Sequence, residues 1–237
     1  MRNCVVRDLG RMSYGEALAI QSRIASERKQ GFGVDHLLFV EHPHVVTIGR
    51  NGHEENVLAP GETLRRAGIE LYETDRGGDV TYHGPGQIVA YPIMDLREWK
   101  RDVGAFVRGI EQVLIDTLAD FGIAARRLAG MTGVWTDAQG SKAGGTEAGG
   151  MEAKIAAIGV HLSRWVSTHG WALNVTTDLR YFQYIVPCGL AKPVTSMEAL
   201  GVEADIGAVK NALTRHFGRI FDFEMQAEAL AMEILTA

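Results

Sequence analysis

Apolar residues recur at helical spacing in three long segments of the chain. The first follows Ser13 and Glu16, which fit a capping box, and Gly31 is placed to end it. The clearest segment covers residues 102–121, where the apolar positions form a single stripe. The last runs over residues 205–221. The pattern therefore predicts three helices, each with one apolar face.

Short apolar, often β-branched runs occupy the chain between these segments, as they do in buried strands. They predict strands at 37–40, 45–48, 69–73, 80–82, 88–91, 153–166 and 170–175. The runs at 80–82 and 88–91 flank residues 83–86, His-Gly-Pro-Gly, which predicts a strand–turn–strand unit. Because the central turns are too short for crossover helices, we expect an α/β (α+β) fold with a mixed β-sheet flanked by helices.

We find neither an internal repeat nor a linker that would divide the chain. We therefore expect one domain over residues 1–237. Residues 140–150 are rich in glycine and predict a flexible loop. A phosphate-binding P-loop is excluded there, because the frame that starts at Gly144 has Gly150 and Met151 where lysine and a hydroxyl residue are needed.

Charge and cysteine content exclude several classes of protein. With 24 basic and 29 acidic residues the net charge is −5, so we expect no nucleic-acid partner. Cys4 and Cys188 are too far apart in sequence for a thiolate metal cluster and form a poor disulfide framework, which favours a reducing compartment. No apolar signal segment or stretch of 18 apolar residues occurs. We expect a cytoplasmic protein with no membrane partner, metal or cofactor.

One motif combines glycines with several residues capable of chemistry. Residues 76–87 read Arg-Gly-Gly-Asp-Val-Thr-Tyr-His-Gly-Pro-Gly-Gln. Two glycine groups bracket a short strand, and glycine lets the backbone approach a ligand closely. The sequence indicates a ligand pocket here, and a tight hairpin with a core histidine is the alternative.

Cys188 and Lys154 are the candidate reactive side chains. Cys188 follows an apolar strand end and precedes Gly189, where a nucleophile can be exposed at the rim of a sheet; a buried structural thiol is the alternative. Lys154 enters a strongly apolar run, although lysine is rarely buried; its ammonium reaching out to solvent is the alternative. Cys4 is predicted to be structural.

His42-Pro43-His44 could supply two metal ligands. No third ligand lies nearby in sequence, so we interpret the segment as a turn that connects two strands.

Three motifs together resemble the lipoyl(octanoyl) transferase family. They are residues 76–87, residues 154–159 (Lys-Ile-Ala-Ala-Ile-Gly) and residues 187–189 (Pro-Cys-Gly). The resemblance extends from about residue 8 to residue 200. Residues 170–174, Gly-Trp-Ala-Leu-Asn, match a fourth element, with Trp171 where a smaller apolar residue or phenylalanine is common. The resemblance implies the fold of biotin and lipoate protein ligase catalytic domains, a mixed sheet flanked by helices.

The resemblance also implies a reaction. It is transfer of an octanoyl group from octanoyl-acyl carrier protein to a specific lysine of lipoyl domains through a cysteine thioester, the first step of endogenous protein lipoylation. The acceptors would be lipoyl domains of 2-oxoacid dehydrogenases and the glycine cleavage H protein. Cys188 would carry the thioester, and Lys154 would lower its pKa. The pocket would comprise Arg76, Gly77, Gly78, Asp79, Val80, Thr81, Tyr82, His83, Ala157, Ile158, Gly159, Gly170, Trp171 and Ala172.

Simple electrostatics agrees with this pairing. An ammonium about 4 Å from a thiolate, at an effective dielectric constant of about 20, contributes on the order of 4 kcal/mol, or roughly three pKa units before burial opposes it. We expect His83 to orient the pocket and not to act as a general base. The backbone N–H groups near Gly78 and Gly159 are candidates for stabilising the oxyanion.

Other functions remain open on the sequence alone. An ATP-dependent lipoate-protein ligase would share the fold, but it would need basic groups for an adenylate and no essential cysteine. A non-catalytic homologue could keep the pocket, and a thioesterase would use water in place of the acceptor lysine. The presence of both Cys188 and Lys154 favours the transferase.

Overall fold

A computed structural model describes residues 2–138, 151–186 and 192–228 of the chain. Its centre is an eight-stranded mixed sheet in which β11, β1 and β2 run parallel and the remaining neighbours run antiparallel. Numbered along the chain and given in spatial order, the strands are β11 (Phe223–Ala227), β1 (Arg2–Arg11), β2 (Asp35–Glu41), β6 (Gln87–Ile93), β10 (Val166–Asn174), β9 (Glu152–Ser163), β8 (Met131–Asp137) and β7 (Arg126–Leu128).

A second, three-stranded sheet lies beside the large one. Its order is β4 (Glu70–Glu73), β3 (Val45–Ile48) and β5 (Val80–His83), with β3 parallel to β4 and antiparallel to β5. Leu64 of the short helix α2 (Gly61–Arg66) and Phe182 of a 3-10 helix (Leu179–Tyr184) pack on it in a separate apolar cluster. Two further 3-10 turns cover Glu54–Asn56 and Glu198–Leu200.

Helices cover both faces of the large sheet. Helix α1 (Tyr14–Lys29) packs on one face, and α3 (Val103–Asp120) and α4 (Ile206–Phe221) pack on the other. Each begins where the sequence predicts: Ser13 and Glu16 form the capping box, and Asp102 and Asp205 accept hydrogen bonds from backbone N–H groups of the first turn. The predicted fold class, a mixed sheet flanked by helices, is confirmed.

The predicted strand–turn–strand unit needs a correction. Both strands form, but β5 belongs to the small sheet and β6 to the large one, so they do not form a hairpin. The segment between them carries the chain from one sheet to the other. It needs glycine at position 84, where a Cβ would collide with the hydroxyl of Tyr82, and at Gly86, which has φ of +78°.

The predicted strand over residues 153–166 is two strands. Strand β9 ends at Ser163 and β10 begins at Val166, with Arg164 and Trp165 forming the tip of a hairpin. Their φ angles are +52° and +66°, which two-residue hairpin loops require and Asn-Gly usually supplies. The hairpin was missed because its loop residues carry no turn signal.

The sequence pattern also misses β1, β7, β8, β11 and α2. Strand β1 is interspersed with charged residues, and of its ten positions only Cys4 is fully buried.

Among the described residues, no helix is both long and apolar enough to cross a membrane. The predicted loop at 140–150 lies outside the described residues. The single domain over residues 1–237 stays a prediction.

Candidate active site

A cavity lies where the two sheets meet the start of α1. Its floor comes from adjacent strands β6, β10 and β9 of the large sheet, and its opposite wall comes from β5 and the loop before it. The lining residues are Tyr14, Arg76, Gly78, Thr81, His83, Val89, Tyr91, Ala157, Ile158, Gly159, His169, Gly170, Trp171 and Ala172.

A smaller cavity adjoins it and contains the candidate lysine. We call it the inner cavity; its lining residues are Thr81, Gln87, Lys154, Ala157, Ala172, Asn174, Phe182 and Val194. Thr81, Ala157 and Ala172 line both cavities. Ala157 and Ala172 are directly opposite each other on β9 and β10. These small side chains therefore form a neck between the large cavity and Lys154.

Lys154 is a buried residue near the start of β9, with 7% of its surface exposed. Its backbone is fixed by the segment that follows residue 192: Lys154 N–H donates to Pro193 O, and Thr195 N–H donates to Lys154 O, both over 2.9 Å. The side chain therefore starts from a rigid position and does not reach out to solvent as the sequence-based alternative required.

Glycines let the loop at residues 76–79 lie directly on β9. Gly77 N–H donates to Val160 O over 3.0 Å. A Cβ at Gly159 would lie 2.6 Å from Gly77 O, and a Cβ at Gly170 would collide with Ala90 O. Side chains at these positions would force the loop and strands apart, so glycine is required for the cavity wall to close.

Arg76 is buried in this wall and ties the loop to the small sheet. Its guanidinium donates to Thr47 Oγ1 (3.0 Å), Thr47 O (2.7 Å), Asp79 O (2.7 Å) and Gly77 O (3.0 Å). These bonds hold the loop against β3 and against its own backbone.

A chain of amides connects His83 to the segment beside Lys154. His83 Nδ1–H donates to Gln87 Oε1 (2.7 Å), Gln87 Nε2 donates to Asn174 Oδ1 (2.9 Å), and Asn174 Nδ2 donates to Thr195 O (2.9 Å). Burial lowers the pKa of His83 to about 3. The imidazole is therefore neutral and fixed near pH 7, in agreement with an orienting role.

His169 is a cavity residue that the sequence analysis did not select. It is 1% exposed and has φ of +58°, a strained conformation for a non-glycine residue. Its Nε2–H donates to Asp75 Oδ1 over 2.7 Å, and the hydroxyl of Tyr14 lies 3.4 Å from its Nδ1. Burial lowers the pKa of His169, and the hydrogen bond that it donates to Asp75 only partly opposes this. The only sequence signal is its position directly before Gly170.

His42-Pro43-His44 connects β2 and β3, as predicted. His42 is fully buried: its Nδ1–H donates to Met12 O (2.8 Å), and Tyr91 donates its hydroxyl proton to Nε2 (2.7 Å). Within residues 2–138, 151–186 and 192–228, no group of three His, Cys, Asp or Glu side chains could hold a metal ion.

The structure places ten of the fourteen predicted pocket residues on the cavity surface. The other four point elsewhere: Val80 and Tyr82 pack in the core of the small sheet, Gly77 supports the wall, and the carboxylate of Asp79 accepts from His53 N–H and Asn56. Lining residues not predicted are Tyr14, Val89, Tyr91 and His169.

The structure describes Cys4 and does not describe Cys188. Cys188 lies outside the described residues. Cys4 is fully buried in β1 within the core beneath α4, and burial raises the pKa of its thiol well above the usual range. This thiol is therefore protonated and inert at neutral pH, as expected of a structural cysteine.

The two cavities together form one mainly apolar path that leads to an amine. Alanine, valine, isoleucine and glycine residues line the path, and Lys154 lies at its inner end. The neutral histidines add no positive charge. Such a site can bind an acyl group and carry out proton transfer at its carbonyl end.

Comparison with known proteins agrees with this chemistry. The family model "Lipoyl protein ligase A/B catalytic domain" matches residues 13–218. A protein named octanoyltransferase from Solibacter usitatus is 63% identical over 95% of this chain and 96% of its own length. Another from Koribacter versatilis is 49% identical over 91% of this chain and 83% of its own.

The same fold occurs in a solved structure. A putative lipoate protein ligase from T. acidophilum with bound lipoic acid superposes with a TM-score of 0.71 at 17% identity, and the match covers 98% of this chain and 91% of that one. At that identity the likeness concerns the fold alone.

Proposed function

This chain belongs to the lipoyl protein ligase A/B catalytic domain family, and we propose that it acts as an octanoyltransferase in protein lipoylation. The octanoyl donor is octanoyl-acyl carrier protein, and the acceptor is a specific lysine of a lipoyl domain. The acceptors we propose are the lipoyl domains of 2-oxoacid dehydrogenases and the glycine cleavage H protein. The two widely spaced cysteines agree with a reducing, cytoplasmic setting for the reaction.

The observation that carries the proposal is the position of Lys154 in the inner cavity. Its ammonium group lies at the end of an apolar path that passes over the paired side chains of Ala157 and Ala172. An extended octanoyl chain would lie in the large cavity with its carbonyl directed through this neck. The path therefore begins with residues that would bind the chain and ends at Lys154, the group that would transfer protons.

In the first step, the Cys188 thiolate attacks the thioester carbonyl of the donor. The bond between the octanoyl carbon and the carrier sulfur breaks, and a new thioester forms on Cys188. The leaving carrier thiolate takes a proton from the Lys154 ammonium. The lysine is then neutral, and the donor can depart before the acceptor arrives, which is the benefit of a covalent intermediate.

In the second step, the neutral amine of the acceptor lysine attacks the Cys188 thioester. An amide bond forms, the Cys188 thiolate leaves, and Lys154 accepts the proton released by the attacking nitrogen. The thiolate and ammonium are thus restored, and the cycle is complete. The backbone N–H groups near Gly78 and Gly159, the sequence-based candidates for stabilising the oxyanion, line the large cavity and not the inner cavity to which the carbonyl is directed, so we do not assign them that role.

Intact-mass measurement tests the proposal. The protein is incubated with octanoyl-carrier protein and then with a lipoyl domain, in the absence of ATP. We expect an adduct of one octanoyl group that maps to Cys188 and that the lipoyl domain removes. Absence of the adduct, its discharge by water as fast as by the acceptor, or a requirement for ATP with release of AMP would contradict a transferase.

Substitution of Lys154 by alanine tests the role of the lysine. Without the ammonium, fewer Cys188 thiols are ionised near pH 7, so Lys154→Ala should lose acylation at neutral pH and regain part of it at higher pH. The acylation rate from single-turnover experiments between pH 6 and pH 10 provides the measurement. If no activity returns at high pH, Lys154 does not act by activating the thiolate.

A further inference from the structure

We propose that Trp135 is a positioning residue that holds the side chain of Lys154 in the inner cavity. The inference rests on the proposed function, because it concerns the lysine assigned to proton transfer there. Trp135 does not line either cavity, and it reaches the reaction only through Lys154.

The strand register brings the two side chains together. Strands β8 and β9 pair Val134 with Ala156 and Trp135 with Lys154, so the register shifts by one residue between these pairs. Such a bulge changes the direction of side chains and is common beside active sites. Here it places Trp135 directly opposite Lys154, on the same face of the sheet.

Gly133 completes a slot for the lysine stem. It has φ of +127°, and a Cβ on it would lie 3.4 Å from Cε and 3.7 Å from Cδ of Lys154 and only 2.8 Å from Ala156 O. The lysine methylenes therefore lie over a position without a side chain, two residues before Trp135. Gly133 forms the floor of the slot, and Trp135 on the same strand forms its end.

The ring of Trp135 faces the ammonium group. Lys154 Nζ lies 4.7 Å from the ring centroid, well within the range of a cation–π interaction. Trp135 is 1% exposed, and its Nε1–H donates to Met131 O over 3.3 Å, so the ring is fixed. Lys192 is farther from the same ring, at 6.0 Å, and its ammonium binds Glu152 over 2.6 Å. The cation–π interaction of this ring is therefore mainly with Lys154.

An aromatic ring suits a lysine that must give up and regain a proton. A carboxylate in the same place would hold the ammonium as an ion pair and oppose its deprotonation. A cation–π attraction also favours the charged lysine, but less strongly than an ion pair does. Packing of the methylenes beside Gly133 does not depend on charge, so the ring and the slot together can hold Nζ while the lysine changes its charge during the reaction.

A spectroscopic test addresses the contact itself. Protein with ¹³C-labelled lysine gives one εCH₂ signal for each of its six lysines, and Lys154→Arg assigns the signal of interest. The ring current of Trp135 should move this signal upfield in the wild type. Trp135→Leu should return it to the position of the other lysines. An unshifted signal in the wild type would overturn the inference whether or not the protein transfers octanoyl groups.

A kinetic test addresses the role in the reaction. In single-turnover acylation by octanoyl-carrier protein, Trp135→Leu should lower the maximal rate at pH 7 about tenfold and move the pH profile to higher pH, with the donor KM within about twofold of the wild type. Trp135→Phe, which keeps a smaller ring, should lose about threefold. Trp135→Met replaces the ring by a flexible apolar side chain and should match Trp135→Leu.

Trp99→Leu provides the matched control, because Trp99 packs on Phe221 on the far side of the large sheet. It should leave the pH profile unchanged. If Trp135→Leu and Trp135→Met lower only the melting temperature and keep the wild-type pH profile, Trp135 has a purely structural role. Failure of the wild type to form a Cys188 thioester would contradict the proposed function instead, so the two failures are distinguishable.

Discussion

At the scale of single residues, burial determines the protonation states around the cavity. Burial lowers the pKa of His83, His42 and His169, and each ring has a hydrogen-bond partner that fixes its tautomer. The imidazoles on the cavity wall are therefore neutral at pH 7. Positive charge in the described part of the wall comes from Arg76 and Lys154. Because the imidazoles are neutral and an arginine stays protonated, we assign proton transfer to Lys154.

The low pKa of His83 predicts a measurable dependence of stability on pH. Its pKa is about 3 in the folded protein and about 6.5 in an unfolded chain. Between these values the unfolded chain binds a proton that the folded protein does not, so the free energy of unfolding decreases as the pH falls below about 6.5. His83→Gln should reduce the slope between pH 4 and pH 6 by about 1.4 kcal/mol per pH unit.

Urea unfolding of the wild type and His83→Gln at pH 4, 5, 6 and 7 measures this slope. The comparison concerns the slope alone, so a uniform loss of stability in the variant does not affect it. Equal slopes for the two proteins would show that His83 is protonated in the fold at these pH values.

At the scale of elements, short connections decide which strands pair. The two residues between β9 and β10, Arg164 and Trp165, form a tight loop with left-handed conformations in a segment that the sequence presents as one continuous strand. Conversely, the turn between β5 and β6 joins different sheets and makes no hairpin. Loop conformation in both cases follows from contacts of the flanking strands with the rest of the sheet.

The β9–β10 loop offers a stabilising substitution. Each non-glycine residue in the left-handed region costs about 1 kcal/mol, and Asn-Gly is the sequence preferred for such loops. Trp165 is 37% exposed, so part of its surface is buried and would be lost. The double variant Arg164→Asn, Trp165→Gly should raise the melting temperature by about 2–4 °C.

Scanning calorimetry of this variant, with Trp165→Ala as the control, separates the two effects. The alanine variant loses the tryptophan contacts but keeps a residue that disfavours positive φ, so it should be no more stable than the wild type. A double variant no more stable than Trp165→Ala would show that the loop conformation carries no strain.

At the scale of the whole molecule, the site exists only where two sheets and one helix meet. Tyr14 comes from α1, Thr81 and His83 from the small sheet, and the floor from β6, β9 and β10. The neck over Ala157 and Ala172 connects this cavity to Lys154. The path requires small residues at the neck because larger side chains would fill it.

Filling the large cavity should change which acyl groups the protein transfers. Val89 lines the large cavity and not the inner one, so Val89→Phe should obstruct a long chain while leaving the inner cavity open to a short one. The ratio of octanoyl to butyryl transfer rates from the corresponding carrier proteins should fall at least about tenfold, a size typical of steric discrimination in apolar pockets. A parallel loss of both rates with a lower melting temperature would indicate overpacking, and an unchanged ratio would place the chain elsewhere.

The sequence by itself determined the local features of this protein. The three long helices begin at Ser13, Asp102 and Asp205 as predicted, because capping and the apolar stripe depend on residues at most four positions apart. Strands β2 to β6, the fold class and the glycine requirement of residues 76–87 also follow from short-range patterns. The family resemblance likewise rests on short motifs read in order.

Only the tertiary structure decided how these pieces combine. Nothing local to β1 predicts its parallel pairing with β11, more than 200 residues away. Nor does any short pattern place His169 on Asp75, Tyr14 in the cavity wall, or Trp135 over the ammonium of Lys154. These contacts depend on sheet order, register and a bulge, which are set by how distant apolar faces bury one another. Short-range periodicity carries no information about that choice.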